Sequence, residues 1–218
     1  TLHGINARRL SEARAQWADE FSVLPGPRFT VIAGGDSGPF TFGPKAAERL
    51  GWQASRLARE HGGSLLVTTS SRTSGAAVSA LEQAINVPNY FYRWYPGDDA
   101  NPYVGMLAWA DRLIVTGDSI AMLSEACSTG KPVQMFDLGG MRGEPPGPVD
   151  FRLGALLYAF MRRWVPQSLS RDITLVHRSL RESGRAVWLE EEFGAVAVPA
   201  EDDMQRAVAA VKELFGES

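Results

Sequence analysis

Three short segments of this chain hold residues suited to gripping a phosphorylated or sugar-bearing ligand. The first is Gly34-Gly35-Asp36-Ser37-Gly38. Glycines let a backbone come close to a ligand, and bared amides beside a hydroxyl suit a phosphate or a sugar. The second, Ser70-Ser71-Arg72-Thr73-Ser74, sets one cation among four hydroxyls. That composition suits an anion at the start of a helix. The third runs from Thr116-Gly117-Asp118-Ser119 to Ser124-Glu125. Gly117 ends an apolar run, and Asp118 or Ser119 can cap a helix whose amides would face a phosphate. Glu125, about two turns further on, is spaced to accept hydrogen bonds from both hydroxyls of a ribose.

Each segment also has a plainer reading. The Gly34 loop serves equally as a tight strand-to-helix turn. Ser71 or Thr73 could simply cap a helix, leaving Arg72 in solvent. Glu125 could lie on an ordinary exposed helix, although its neighbours Leu123, Ala126 and Cys127 read as buried. Spacing excludes the better-known nucleotide and hydrolase motifs. The G-x-G-x-x-G dinucleotide fingerprint is absent. A nucleophile elbow around Ser37 would need glycine at position 39, where Pro39 stands. Thr129-Gly130-Lys131-Pro132 carries the Gly-Lys pair of a P-loop, but no glycine stands at 125 and proline follows the lysine. Gly130 reads instead as a helix C-cap.

The remaining inventory excludes more than it offers. A single cysteine, Cys127, rules out an internal disulfide and a four-cysteine zinc site. His3, His61 and His177 show no ligand spacing, and Asp98-Asp99 reads as a turn after Pro96-Gly97. No metal and no cofactor is expected. The formal charge of −3 gives no basic excess for nucleic acid. No run approaches the ~18 apolar residues of a spanning helix, and no signal peptide precedes the first strand, so a cytoplasmic protein is expected.

Elements of alternating type must position these segments. Residues 1–24 read as a helical lead-in, because Leu10, Ala13, Trp17 and Phe21 recur at steps of three and four. Short apolar, β-branched runs predict strands at 29–33, 64–68, 90–95, 112–116 and 132–136. Helices are predicted between them at 44–61, 75–85, 102–110 and 119–129. Strands separated by helices imply right-handed βαβ units and a doubly wound, Rossmann-like parallel sheet. The expected strand order is 3-2-1-4-5, with residues 186–189 as a sixth edge strand. Residues 139–150 are a glycine- and proline-rich loop, followed by helices at 151–164, 168–183 and 204–215. The expected organisation is a lead-in at 1–24, a nucleotide-binding core at 25–140 and a helical tail at 141–218. In such a sheet ligands bind at the carboxyl ends of the strands where the order reverses, which is where the first and fourth strands end.

The stretch 110–133 resembles the donor-binding half of GT-B glycosyltransferases, among them the transferase that adds N-acetylglucosamine to the lipid-linked peptidoglycan precursor. There a glutamate in an Ala-Asp…Ser-Glu…Gly-x-Pro segment binds the nucleotide ribose, and the resemblance gives that role to Glu125. Three stretches, 31–37, 69–73 and 116–132, are similar to the mitochondrial-fission ELM family, whose bacterial members are uncharacterised proteins. The resemblance implies a GT-B fold of two Rossmann-like domains, of which this would be the second. Residues 1–24 would then lead in from an N-terminal domain that carries the acceptor site and any general base. The implied ligand is a nucleotide or nucleotide-sugar, bound by Gly34, Gly35, Asp36, Ser37, Ser71, Arg72, Thr73, Gly117, Asp118, Ser119, Ser124 and Glu125. The reaction would be a metal-independent glycosyl transfer, with Arg72 and the helix at Ser119 supporting the departing diphosphate. The alternative is a non-catalytic family member acting through protein partners. A nicotinamide enzyme fits worse, since its fingerprint and a Tyr-x-x-x-Lys pair are missing. With its companion domain absent, the face of the cleft would favour self-association.

Overall fold

A computed structural model describes residues 4–37, 40–142, 150 and 173–192. The predicted helices at 151–164 and 204–215, the start of the one at 168–183, and Gly38 lie outside the described residues. Six parallel strands form one sheet: β1 (Arg28–Ile32), β2 (Ser64–Thr68), β3 (Asn89–Tyr92), β4 (Arg112–Thr116), β5 (Val133–Phe136) and β6 (Val187–Trp188). Their order is β3-β2-β1-β4-β5-β6, so the expected doubly wound sheet and its sixth edge strand are both present. In register, Val31 lies between Val67 of β2 and Ile114 of β4.

Seven helices accompany the strands among the described residues: α1 (Ala7–Gln16), α2 (Ala18–Phe21), α3 (Pro44–Glu60), α4 (Gly75–Ala84), α5 (Tyr103–Trp109), α6 (Ile120–Ser128) and α7 (Ile173–Glu182). The central strands are buried on both faces, as their continuous apolar runs require. On one face Leu65 and Val67 join Leu50, Ala54 and Leu81 from α3 and α4. Leu66 points the other way, to Phe21 and Met106. The helical lead-in is therefore part of this domain's core. Trp17 stacks on Phe21 with centroids 5.5 Å apart, and Arg14 lies 4.3 Å over the Trp109 ring. No helix among the described residues is long and apolar enough to cross a membrane.

Several boundaries differ from expectation by a residue or more. The third strand stops at Tyr92, because the chain turns there. Trp94 N–H donates to Thr69 Oγ1 at 2.9 Å, and Asp98 accepts from Tyr92 Oη at 2.5 Å and from Ala100 N–H at 2.9 Å. Asp98 thus closes a turn, and the Tyr92 hydrogen bond holds its pKa below the usual carboxylate range.

Lys131 ties α5 to the turn before β5. Its Nζ donates to the carbonyls of Leu107 and Ala108 at 2.7 Å each, capping the end of α5. Burial lowers its pKa to about 8, with Arg14 adding to the effect and Asp111 opposing it. The folded state therefore binds this proton less tightly than the unfolded chain does. Between pH 8 and 10.5 the unfolded chain carries more of it, so stability rises with pH across that window. We expect urea unfolding to show that rise between pH 8 and 9.5, and Lys131→Met to lose it. Equal slopes in the two proteins would contradict the assignment.

Candidate functional site

The sheet order reverses between β1 and β4, so the chains leaving these neighbouring strands diverge and open a crevice at the carboxyl edge. The loops after β1, β2 and β4 meet there. Gly34 N–H donates to Thr116 Oγ1 at 2.7 Å, and Gly35 N–H donates to Asp118 Oδ2 at 3.0 Å. Thr73 Oγ1 donates to the Gly34 carbonyl and accepts from Ser70 N–H at 2.9 Å. Arg72 spans all three loops. Its Nη1 reaches the Asp36 carbonyl at 3.2 Å, and its Nη2 pairs with Asp118 Oδ2 at 2.7 Å.

The glycines of the first loop are required by this mesh. A Cβ on Gly34 would lie 2.2 Å from Asp118 Oδ2, and one on Gly35 would lie 2.1 Å from the Arg72 carbonyl oxygen. The close approach inferred from sequence is thus made to the protein's own loops. Asp118 and Arg72, both nominated as ligand groups, engage one another. The Asp118 side chain is 0% exposed, whereas that of Arg72 is 39% exposed. Asp118 Oδ1 is buried with no hydrogen-bond partner among the described residues.

The other candidate residues have varied settings. Ser37 exchanges backbone hydrogen bonds with Phe40 at 2.9 and 3.0 Å, and Asp36 Oδ1 accepts from Phe42 N–H at 2.9 Å. Ser71 is exposed. Neither Ser71 nor Thr73 caps α4. That role falls to Ser74, whose Oγ accepts from Ala77 N–H at 3.2 Å. The α6 cap is Ser119 rather than Asp118, accepting from Met122 N–H at 3.4 Å. Ser124 and Glu125 are half-buried on α6. Glu125 is not in open solvent, because Tyr103 Oη of α5 donates to its Oε2 at 2.5 Å. Burial first, then the Glu125 charge and hydrogen bond, push the Tyr103 pKa upward. Glu125 Oε1 makes no hydrogen bond with the described residues.

Tyr103 and His177, which no sequence motif singles out, contact two of these candidate residues, Glu125 and Gly117. His177, on α7, is buried beneath the third loop. Its Nε2 lies 2.7 Å from the Gly117 carbonyl. A carbonyl only accepts, so Nε2 carries the proton in this contact. A Cβ on Gly117 would lie 2.7 Å from Met141 Sδ and 3.3 Å from the imidazole. Beside it opens a groove of about 180 Å³, lined by residues of α7, β6 and the turn after β5. Among the described residues no three His, Cys, Asp or Glu side chains converge as metal ligands.

Comparison with known proteins gives a consistent lineage. A family model described as mitochondrial fission ELM1 matches residues 1–215. "Mitochondrial fission protein ELM1" of Arabidopsis thaliana is 36% identical over 132 residues, which is 61% of this chain and 30% of that protein. "Uncharacterized protein RP120" of Rickettsia prowazekii (strain Madrid E) is 32% identical over 109 residues, which is 49% of this chain and 30% of that protein. The matched segments thus span less than a third of either relative.

Proposed function

The chain belongs to the mitochondrial fission ELM1 family, and we propose that it is the nucleotide-sugar-binding half of a GT-B-type protein. The observation that carries this reading is the meeting of three polar loops at the β1–β4 crevice, with Glu125 half-buried on the helix that starts there. The α6 amides would face a phosphate, and Glu125 Oε1 would accept from a ribose hydroxyl. Glycosyl transfer would need no metal, the departing diphosphate being stabilised by amides, hydroxyls and Arg72. The general base would come from the companion domain, so this half by itself would bind donor and transfer nothing.

The test is calorimetric titration of the intact protein with UDP-, GDP-, ADP- and CMP-sugars. At least one is expected to bind. Glu125→Gln should weaken that ligand by ~5- to 150-fold, the equivalent of about 1–3 kcal/mol for a hydrogen bond to a charged group. Unchanged affinity in the variant would remove Glu125 from the site.

One observation favours a second reading, a non-catalytic protein acting through partners. Arg72, the cation assigned to the diphosphate, is already held by a fully buried carboxylate. The Arabidopsis relative is named for mitochondrial fission rather than for a reaction. Failure of all four nucleotide-sugars to bind would select this reading.

A further inference from the structure

The groove beside Gly117 has a composition that the crevice loops lack. Arg178 and Arg181 of α7 line it from one side, and Arg142 from the turn after β5 lines it from the other. Helical spacing puts Thr174, His177, Arg178 and Arg181 on one face, since they stand at steps of three and four. Among the described residues two carboxylates answer these three guanidinium groups. Glu191 bridges Arg142 at 3.4 Å and Arg181 at 2.9 Å, and Glu190 takes Arg142 at 3.2 Å. Arg178 is exposed and makes no ion pair with the described residues. Among the described residues one cation of the groove thus has no carboxylate partner, next to two others held in place by carboxylates.

Contacts around the groove hold this arrangement in place. Asp137 accepts backbone N–H bonds from Gly139 at 2.7 Å, Met141 at 3.0 Å and Arg142 at 3.4 Å, which shapes the turn that presents Arg142. The Arg142 guanidinium lies 5.8 Å over the Trp188 ring, and Trp188 meets His177 edge-on at 5.2 Å. Under the groove, the His177–Gly117 hydrogen bond couples its floor to the loop that caps α6.

We infer that this groove is an oxyanion site for a phosphate group, with Arg178 as its principal ligand. Arg142 and Arg181 supply the flanking positive field. A planar guanidinium binds two oxygens of a phosphate at once, and Arg178 can do so without first breaking an ion pair to any of the described residues. The phosphate could be the diphosphate of the nucleotide ligand or could belong to a separate phosphorylated molecule. The site itself does not depend on which. Only its assignment to the nucleotide rests on the function proposed above.

The probe is inorganic pyrophosphate, titrated into the intact protein by calorimetry. Wild type is expected to bind it, Arg178→Gln to weaken it by about ten-fold or more, and Arg178→Lys to retain an intermediate affinity. Arg8→Gln, an exposed change on α1, should leave pyrophosphate binding unchanged. Arg178 is exposed, so its variants should fold, and a matching thermal midpoint checks this. Pyrophosphate that competes with the nucleotide-sugar supports the site as its diphosphate subsite. Pyrophosphate that binds alongside it supports a second, phosphorylated ligand. Absence of pyrophosphate binding, or equal affinity in Arg178→Gln, would overturn the inference. If nucleotide binding then still responds to Glu125→Gln, the nucleotide reading survives alone. If pyrophosphate binds through Arg178 while no nucleotide does, the groove survives and the nucleotide reading fails.

Discussion

Gly35→Ala should cost about 3 kcal/mol or more of folding stability, at the upper end for overpacking, because the obstruction is backbone. The new Cβ would lie 2.1 Å from the Arg72 carbonyl oxygen and 2.4 Å from its carbonyl carbon. Neither atom can rotate away as a side chain would. Relief requires the first two loops to separate. That movement would break the Gly35–Asp118 hydrogen bond and loosen the Thr73–Gly34 bond beside it. Gly75→Ala is the matched control. It lies at the start of α4 with nothing within 4 Å of an added Cβ. Alanine there should be neutral or stabilising by up to about 1 kcal/mol, through helix propensity. Urea unfolding of both variants measures the contrast. A loss below about 1 kcal/mol for Gly35→Ala would mean that the loops are not locked together as described.

Arg72→Met is expected to be of similar size, about 3 kcal/mol, for an electrostatic reason. Removing one partner of a buried ion pair leaves the other charge uncompensated in a poorly solvated site. Asp118 is the buried member, with a side chain 0% exposed, and Arg72 is its only ion-pair partner among the described residues. The partial exposure of Arg72 lets water reach the pair and keeps the cost at the lower end of the usual range. A double-mutant cycle separates this cause from lost packing. In an Asp118→Asn background no buried charge remains, and the amide oxygen can still accept from Gly35 N–H. Arg72→Met should then cost well under half as much. Equal cost in both backgrounds would show that the arginine acts through packing alone. The same pair bears on function. A diphosphate at the crevice would have to share Arg72 with Asp118, so Asp118→Asn should tighten nucleotide binding if Arg72 is a diphosphate ligand.

Much of the architecture is legible in the sequence because its causes are local. Strands such as 64–68 and 112–116 are short apolar runs bounded by turn residues, and only a strand buried on both faces needs that composition. Alternation of such runs with amphipathic helices leaves few topologies once crossovers must be right-handed. The order β3-β2-β1-β4-β5-β6 is one of them, and it brings the three polar loops to one edge of the sheet. Sequence thus determined the fold and the segments that meet at the carboxyl edge of the sheet.

The roles of individual side chains in that meeting were decided by the tertiary structure. Thr73 looked like a helix cap, yet its hydroxyl is drawn to the Gly34 carbonyl across the crevice, and the cap passes to Ser74. Arg72 and Asp118 looked like two independent ligand groups. Their strands, β2 and β4, flank β1 on either side, and that arrangement brings them within 2.7 Å. Glu125 finds Tyr103, and His177 finds Gly117, through packing between elements distant in the chain. Local composition carries the hydrophobic pattern of strands and helices because burial is set by each element's own period. A polar side chain instead bonds whatever polar partner the fold brings near, and that partner is fixed only when the whole sheet has closed.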